Sequence, residues 1–82
     1  MDRERLQQEG HLAVKKQEAK RLQYVIKGLL DSVRLSLDPL EKIEDLEIDV
    51  AFQEMAELAK AWAEYKEIME EIKAANKILG RK

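Results

Sequence analysis

The chain has 82 residues, of which 39% are charged and 45% hydrophobic, with one proline, three glycines and no cysteine. This length holds one small domain, and the composition is typical of long helices with charged surfaces rather than of sheets. The lack of cysteine excludes a disulfide framework and a thiolate metal site. We therefore predict an all-α fold with a single domain over residues 1–82.

The net charge of −2 hides an asymmetry between the two halves of the chain. Residues 1–34 hold eight Lys/Arg and five Asp/Glu, whereas residues 35–82 hold seven and twelve. A mildly basic arm followed by an acidic arm suits two helices folded against each other. The charged N-terminus does not resemble a secretory signal, and no apolar run is long enough to cross a membrane. These features, with the missing cysteines, fit a reducing cytoplasm.

The first predicted element is a helix over about residues 2–36. Its apolar residues recur every seven positions, with further apolar residues beside them, so that both sets share about a third of the helix circumference. They are Leu12, Ala19, Ile26 and Val33, and then Leu22, Leu29, Leu30 and Leu37. The apolar pattern fades toward the N-terminus, where residues 1–11 offer only Leu6, and Gly10 lowers helix stability by about 1 kcal/mol relative to alanine. We therefore expect the first turns to be helical but frayed.

A break follows, and the connector is expected over about residues 37–47. Proline disfavours helical backbone in the residue before it, so the first helix should end ahead of Pro39. Asp38 is then suited to cap a new helix with Pro39 at its first position. For residues 40–47 a helical turn, a 3₁₀ segment and an ordered loop all remain open. Asp49 is a second candidate cap.

The second helix, over about residues 48–79, carries the most regular pattern of the chain. Two apolar series repeat every seven residues over about four heptads, which indicates a long helix with one side pressed against other helices. The a series is Ile48, Met55, Trp62 and Met69, and the d series is Ala51, Leu58, Tyr65, Ile72 and Leu79. Gly80, directly after Leu79, is a typical residue to end a helix.

These elements predict two long antiparallel helices, a helical hairpin. A single hairpin buries one face of each helix and leaves a thin core, which is marginal at this size. The second helix carries a further apolar flank, consisting of Ala61, Ile68 and Ala75, which makes its apolar face wider than one partner helix covers. We therefore predict a homodimer in which two hairpins form a four-helix bundle with coiled-coil-like packing.

A basic stripe runs along the first helix. Its members lie at helical spacing on one side: Lys16, Lys20, Lys27 and Arg34. One interpretation is a track for nucleic-acid phosphates, with each cation releasing counterions on binding. The other is a solvated flank whose long side chains cover the edge of the core and whose charges meet the acids of the second helix. The second interpretation is favoured, because Glu9 and Asp31 interrupt or border the stripe and no aromatic residues alternate with it.

Three apolar residues lie off the main face of the first helix, and they are the candidate contacts for a protein partner: Leu6, Tyr24 and Leu35. Trp62 sits in the middle of the heptad pattern, where its large apolar surface suits a core position, the alternative being an exposed contact for a partner. His11 is the only histidine. Without a second imidazole or a cysteine, it is expected to be an ordinary polar residue of a frayed helix.

No combination of residues in the chain is typical of catalysis, cofactor binding or metal binding, so no residue is assigned to any of these roles. The acidic segment 38–49 lacks the glycine that a calcium-binding EF-hand loop needs at its sixth position. We expect no enzyme activity and no cofactor. The acids near the start of the second helix are explained by their favourable interaction with the helix dipole.

The N-terminal part carries a series of short segments at residues 2–6, 9–13, 15–16 and 18–22, with 31–34 and 37–39 in addition. Through these segments it resembles small, uncharacterised helical proteins of Mu-like phages and prophages. The resemblance covers about residues 2–40 and implies a bacterial, cytoplasmic, phage-derived protein, but it implies no activity. Together with the residue patterns, it leads us to expect a non-enzymatic interaction or accessory protein with an unidentified protein partner. The alternative is a nucleic-acid-associated regulator that uses the basic stripe.

Overall fold

The computed structural model describes residues 3–80. It consists of helix α1 (Arg3–Ser36), a short 3₁₀ turn (Ile43–Asp45) and helix α2 (Ile48–Ile78). The bounds lie within one or two residues of those expected from the sequence. Residue 2, where the first helix was expected to begin, lies outside the described residues, as do the last two residues of the chain.

The two helices lie antiparallel along their whole length. Contacts between them run in opposite chain order: the Lys15 ammonium lies 2.8 Å from the Glu71 carboxylate, and the Gln23 amide donates a 2.9 Å hydrogen bond to the Tyr65 hydroxyl. Nearer the connector, the Ser36 hydroxyl donates to Glu54 at 3.1 Å. The prediction of an all-α helical hairpin is confirmed.

The connector (residues 37–47) is ordered by its own hydrogen bonds. The Asp38 carboxylate accepts a 2.9 Å bond from the Leu40 amide, and the Glu47 amide lies 3.4 Å from the Ser36 carbonyl, which ties the ends of the two helices together. Asp38 therefore stabilises a turn and does not cap a helix. Asp49 is not a cap either, because α2 begins one residue earlier and Asp49 lies in its first turn. Residues 40–47 therefore form an ordered loop that contains a 3₁₀ turn, which combines two of the three expected alternatives.

Gly80 ends α2 as expected. Its φ of +74° is the left-handed conformation that glycine adopts without the steric penalty of a Cβ. Its amide donates a 3.1 Å hydrogen bond to the carbonyl of Lys77, so one of the helix's terminal carbonyls is satisfied.

The hairpin is a thin rod. The described chain measures 65 × 18 × 14 Å, and its radius of gyration is 18.3 Å, whereas a compact domain of this length would have about 12 Å. Its best-buried side chain, Leu12, is 2% exposed and packs with Ala19, Ile72 and Leu79 at the end of the hairpin opposite the connector. Two helices therefore bury one narrow line of side chains and leave most of their surface in solvent.

The core lies on a different edge of α2 from the one that we expected. α1 packs against the d series and against the flank, where Ala61 is buried and Ile68 and Ala75 are partly buried. The a series is left outside along the half near the connector: Ile48, Met55 and Trp62 are all about half exposed. The prediction that Trp62 lies in the core is wrong for the hairpin. α1 covers the flank, which we expected to remain free for a second hairpin.

One polar contact helps to hold this packing. Glu54 lies on the same side of α2 as the flank, and its two carboxylate oxygens accept hydrogen bonds from Ser32 and Ser36 of α1. Ser36 is buried, so its hydroxyl needs a partner inside the protein. These bonds form with the flank edge of α2 facing α1, so they favour this packing.

Replacing Glu54 with alanine should therefore destabilise the hairpin. The expected loss in the free energy of unfolding is about 1–3 kcal/mol, because a buried hydroxyl loses its acceptor. Urea denaturation monitored by circular dichroism measures it. The matched control is Glu57→Ala, which removes the same side chain from an exposed position of the same helix and should change stability by less than about 0.5 kcal/mol. Equal losses in the two variants would contradict the role given to Glu54.

Candidate functional site

An apolar groove lies on one side of the hairpin, in the half near the connector. It has a volume of about 320 Å³ and is lined by Ile26 and Leu30 of α1 and by Met55, Leu58, Ala59 and Trp62 of α2. None of these side chains carries a charge. The groove exists because the helices meet along the d series and the flank, so the a series and its neighbours stand beside the contact line and not in it.

Trp62 is the largest side chain in the groove, and it is 54% exposed. The Lys66 ammonium lies 4.5 Å from the centre of its ring, at a distance suited to a cation–π interaction. Met55, two turns earlier, is 47% exposed. Half-exposed tryptophan and methionine side chains in one depression are typical of surfaces that bind another protein.

The side of the hairpin that carries the groove is basic. Lys27 and Arg34 lie three residues before and four residues after Leu30, so they flank the groove on the same face of α1. Lys66 lies one turn beyond Trp62 on α2. Cations of both helices therefore surround an apolar depression.

The opposite side of the hairpin is acidic. Glu64 follows Trp62 by two residues, which is about 200° around the helix, so the two side chains point away from each other. A shallow concavity on this opposite side is lined by Lys15, Glu18, Arg21, Glu64, Glu67, Ile68 and Glu71. Within it, Glu71 accepts a hydrogen bond from Lys15 and raises the pKa of that ammonium above its ordinary value. The hairpin thus has an apolar, basic side and an acidic side.

All four residues of the basic stripe are exposed, in line with either of their two interpretations. The stripe follows the edge of the groove-bearing side, and Lys66 of α2 adds a cation to that side. The sequence suggested no aromatic residue near the stripe, but the structure leaves Trp62 half exposed on the same side.

The three candidate partner contacts are exposed, but they do not form one surface. Leu6 and Tyr24 are eighteen residues apart, which is about 27 Å along α1, and Tyr24 and Leu35 are about 16 Å apart. Leu35 lines a concavity beside the connector, together with Leu37 and Pro39. These distances are too long for one small partner segment to contact all three residues.

A second apolar region lies at the connector. Leu40 and Ile43 are 92% and 85% exposed, although hydrogen bonds hold the backbone around them in a defined shape. Three exposed acids, Glu41, Glu44 and Asp45, stand among them. The connector therefore combines apolar and negatively charged side chains, whereas the groove combines apolar and positively charged ones.

Sequence reasoning missed the groove as a surface, although the signal was present. Three apolar positions in each heptad of α2 predict two neighbouring helices, one on each edge of the d series. The apolar residues of α1 that lie beside its main series, such as Leu30, also indicate a second neighbouring helix. The pattern does not say which edge the neighbour in the same chain occupies.

Within residues 3–80 no group of three or more His, Asp or Glu side chains is placed to hold a metal ion. His11 lies exposed on α1. Neither helix, over the same residues, is apolar enough for its length to cross a membrane. Comparisons of the chain with protein-family models, with curated proteins and with solved structures find no match.

Proposed function

We propose that this chain is a small, non-enzymatic protein-interaction protein that works as a homodimer, with the apolar groove as its contact surface. Two hairpins would join groove to groove into a four-helix bundle. The edge of α2 that α1 leaves free would then be covered, and the a series would acquire the second neighbour that its spacing predicts.

The exposure of the a series carries this proposal. A hairpin of this size buries little apolar surface, and small domains with thin cores commonly gain stability from association. The groove places Met55 and Trp62 together with Leu30 and Ile26, and burying them in a second copy would lengthen the core by several side chains. Each large side chain buried in full contributes about 1.5–3 kcal/mol.

Sedimentation equilibrium at micromolar concentration tests the proposal. The expected mass is about twice the 9.6 kDa of one chain. A single 9.6 kDa species that unfolds cooperatively over the whole concentration range would contradict it, because the hairpin would then be stable with its groove open.

The second candidate function is nucleic-acid association through the basic stripe. The observation in its favour is the concentration of cations on one side of the hairpin, beside a half-exposed tryptophan that offers a stacking surface. Against it stand the net negative charge and the acidic opposite side, both of which repel a polyanion. We therefore keep it as the alternative.

A salt series with duplex and single-stranded oligonucleotides separates the two functions. We expect no binding tighter than about 100 µM at physiological salt, which is the weak end of non-specific affinity. If the four stripe residues bound phosphates, the logarithm of the binding constant for duplex DNA would fall with the logarithm of the salt concentration, with a slope of about −3 to −4. Replacing all four stripe residues with glutamine would then erase this slope. A submicromolar affinity lost in that variant would favour the alternative.

We further propose a bacterial, cytoplasmic setting, in which the dimer serves as an accessory protein of a prophage that binds a host or phage protein. The support is the resemblance over residues 2–40. A pull-down from bacterial lysate, with Trp62→Ala as the control that lacks the dimer contact, tests this setting separately from dimer formation.

A further inference from the structure

Joining two grooves raises an electrostatic problem. Both grooves are flanked by cations, and both connectors are acidic, since residues 37–47 hold five acids and one lysine. If two hairpins packed groove to groove in the same direction, the two acidic connectors would lie next to each other. Like charges facing each other across an interface oppose association.

Antiparallel packing separates the two connectors, as the positions along the helices show. The residues that line the groove lie six to fourteen residues from the connector ends of their helices, or about 9–21 Å at 1.5 Å per residue, so the groove is centred about 15 Å from the connector end of the hairpin. When one groove covers another with the hairpins antiparallel, the connector of one copy therefore lies opposite a point about 30 Å along the other copy.

That point is basic. Lys20 and Lys16 lie sixteen and twenty residues before Ser36, or about 24 and 30 Å from the connector end, and Lys66 lies about 27 Å along α2. Each connector would thus meet the three exposed lysines of its partner, and Leu40 and Ile43 would lie near the long aliphatic stems of those lysines. The contact occurs twice, since a two-fold axis relates the two copies.

We infer that the occupant of the groove is a second copy of this chain, packed antiparallel, with the acidic connector of each copy on Lys16, Lys20 and Lys66 of the other. This inference rests on the proposed homodimer and specifies its direction and register. It also gives the basic stripe a function, namely recognition of the partner's connector.

A charge-swap experiment tests the inference. The first variant carries Lys16→Glu and Lys20→Glu, and the second carries Glu41→Lys and Glu44→Lys. All four side chains are exposed and lie outside the groove, so the hairpin should keep its helical circular dichroism signal. Each variant alone should dimerise at least about tenfold more weakly than the unchanged chain, because both contacts become repulsive.

Mixing the two variants should restore association. In the mixed dimer an acidic connector meets lysines at one contact, and a basic connector meets glutamates at the other. Native mass spectrometry with an isotopic label on one variant would then show the heterodimer in preference to both homodimers. The four changes combined in one chain should restore the homodimer by the same logic.

Two controls change the same net charge elsewhere. Arg21→Glu with Lys60→Glu and, separately, Glu57→Lys with Glu64→Lys alter residues that do not line the groove; both should leave the dimer affinity within about threefold. A dimer that neither swap weakens, or whose swaps are not rescued on mixing, would overturn the inference and leave the proposed homodimer standing. A monomer at all concentrations would overturn both.

Discussion

Leu12→Ala is expected to cost about 2–5 kcal/mol in the free energy of unfolding, the range found for leucine truncation in a closely packed core. Leu12 is 2% exposed and packs against Ile72 and Leu79 at the open end of the hairpin. No second layer of side chains is available to fill the cavity, because the rod is only two helices thick. A loss of this size is a large fraction of the stability of a small domain.

Chemical denaturation followed by circular dichroism measures this loss. The protein concentration must be held constant, because dimer formation makes the apparent stability depend on concentration. The matched control is Leu6→Ala, the same truncation at an exposed position of the same helix, which should change stability by less than about 0.5 kcal/mol. Were the two variants equally stable, the core would not lie where the structure places it.

Trp62→Ala is expected to separate association from folding. Trp62 is half buried in the hairpin, so its removal should cost the single chain only roughly 1–2 kcal/mol. At the centre of the proposed interface it would act as a hot spot, and its loss should weaken the dimer by at least about thirtyfold, equivalent to about 2 kcal/mol. Sedimentation equilibrium gives the dimer affinity, and chemical denaturation followed by circular dichroism on the same samples gives the free energy of unfolding.

Tyr24→Ala is the control for this second prediction. Tyr24 is an exposed aromatic residue of α1 that does not line the groove, so its removal should leave the dimer intact. A loss of 3–5 kcal/mol for Trp62→Ala without a change in association would instead support the core position that the heptad pattern suggested. If Tyr24→Ala alone abolished the dimer, the contact surface would lie on the outer side of α1.

The sequence was sufficient for the fold class because helical periodicity is a strong local signal. Series repeating every seven residues over four heptads are incompatible with strands, and Pro39 leaves one place for the chain to reverse. The helix ends agree with expectation for the same reason: Gly80 can adopt a positive φ without strain.

Capping rules were less successful at the connector. Asp38 followed by Pro39 is a common start for a helix, but here the Asp38 carboxylate binds the Leu40 amide within a turn. The same side-chain chemistry stabilises both structures, so local sequence does not distinguish them. The distance between the ends of two packed helices selects the turn, and that distance is a property of the hairpin as a whole.

The two edges of α2 show most clearly where sequence information ends. The sequence by itself determined that α2 has an apolar face wide enough for two neighbours, since both the a series and the flank stand beside the d series. Only the tertiary structure decided that α1 covers the flank and leaves Met55 and Trp62 outside. The a series carries larger apolar side chains than the flank does, so burial of apolar surface alone does not explain why α1 covers the flank. The choice depends on contacts between residues far apart in the chain, of which the hydrogen bonds from Ser32 and Ser36 to Glu54 are the clearest.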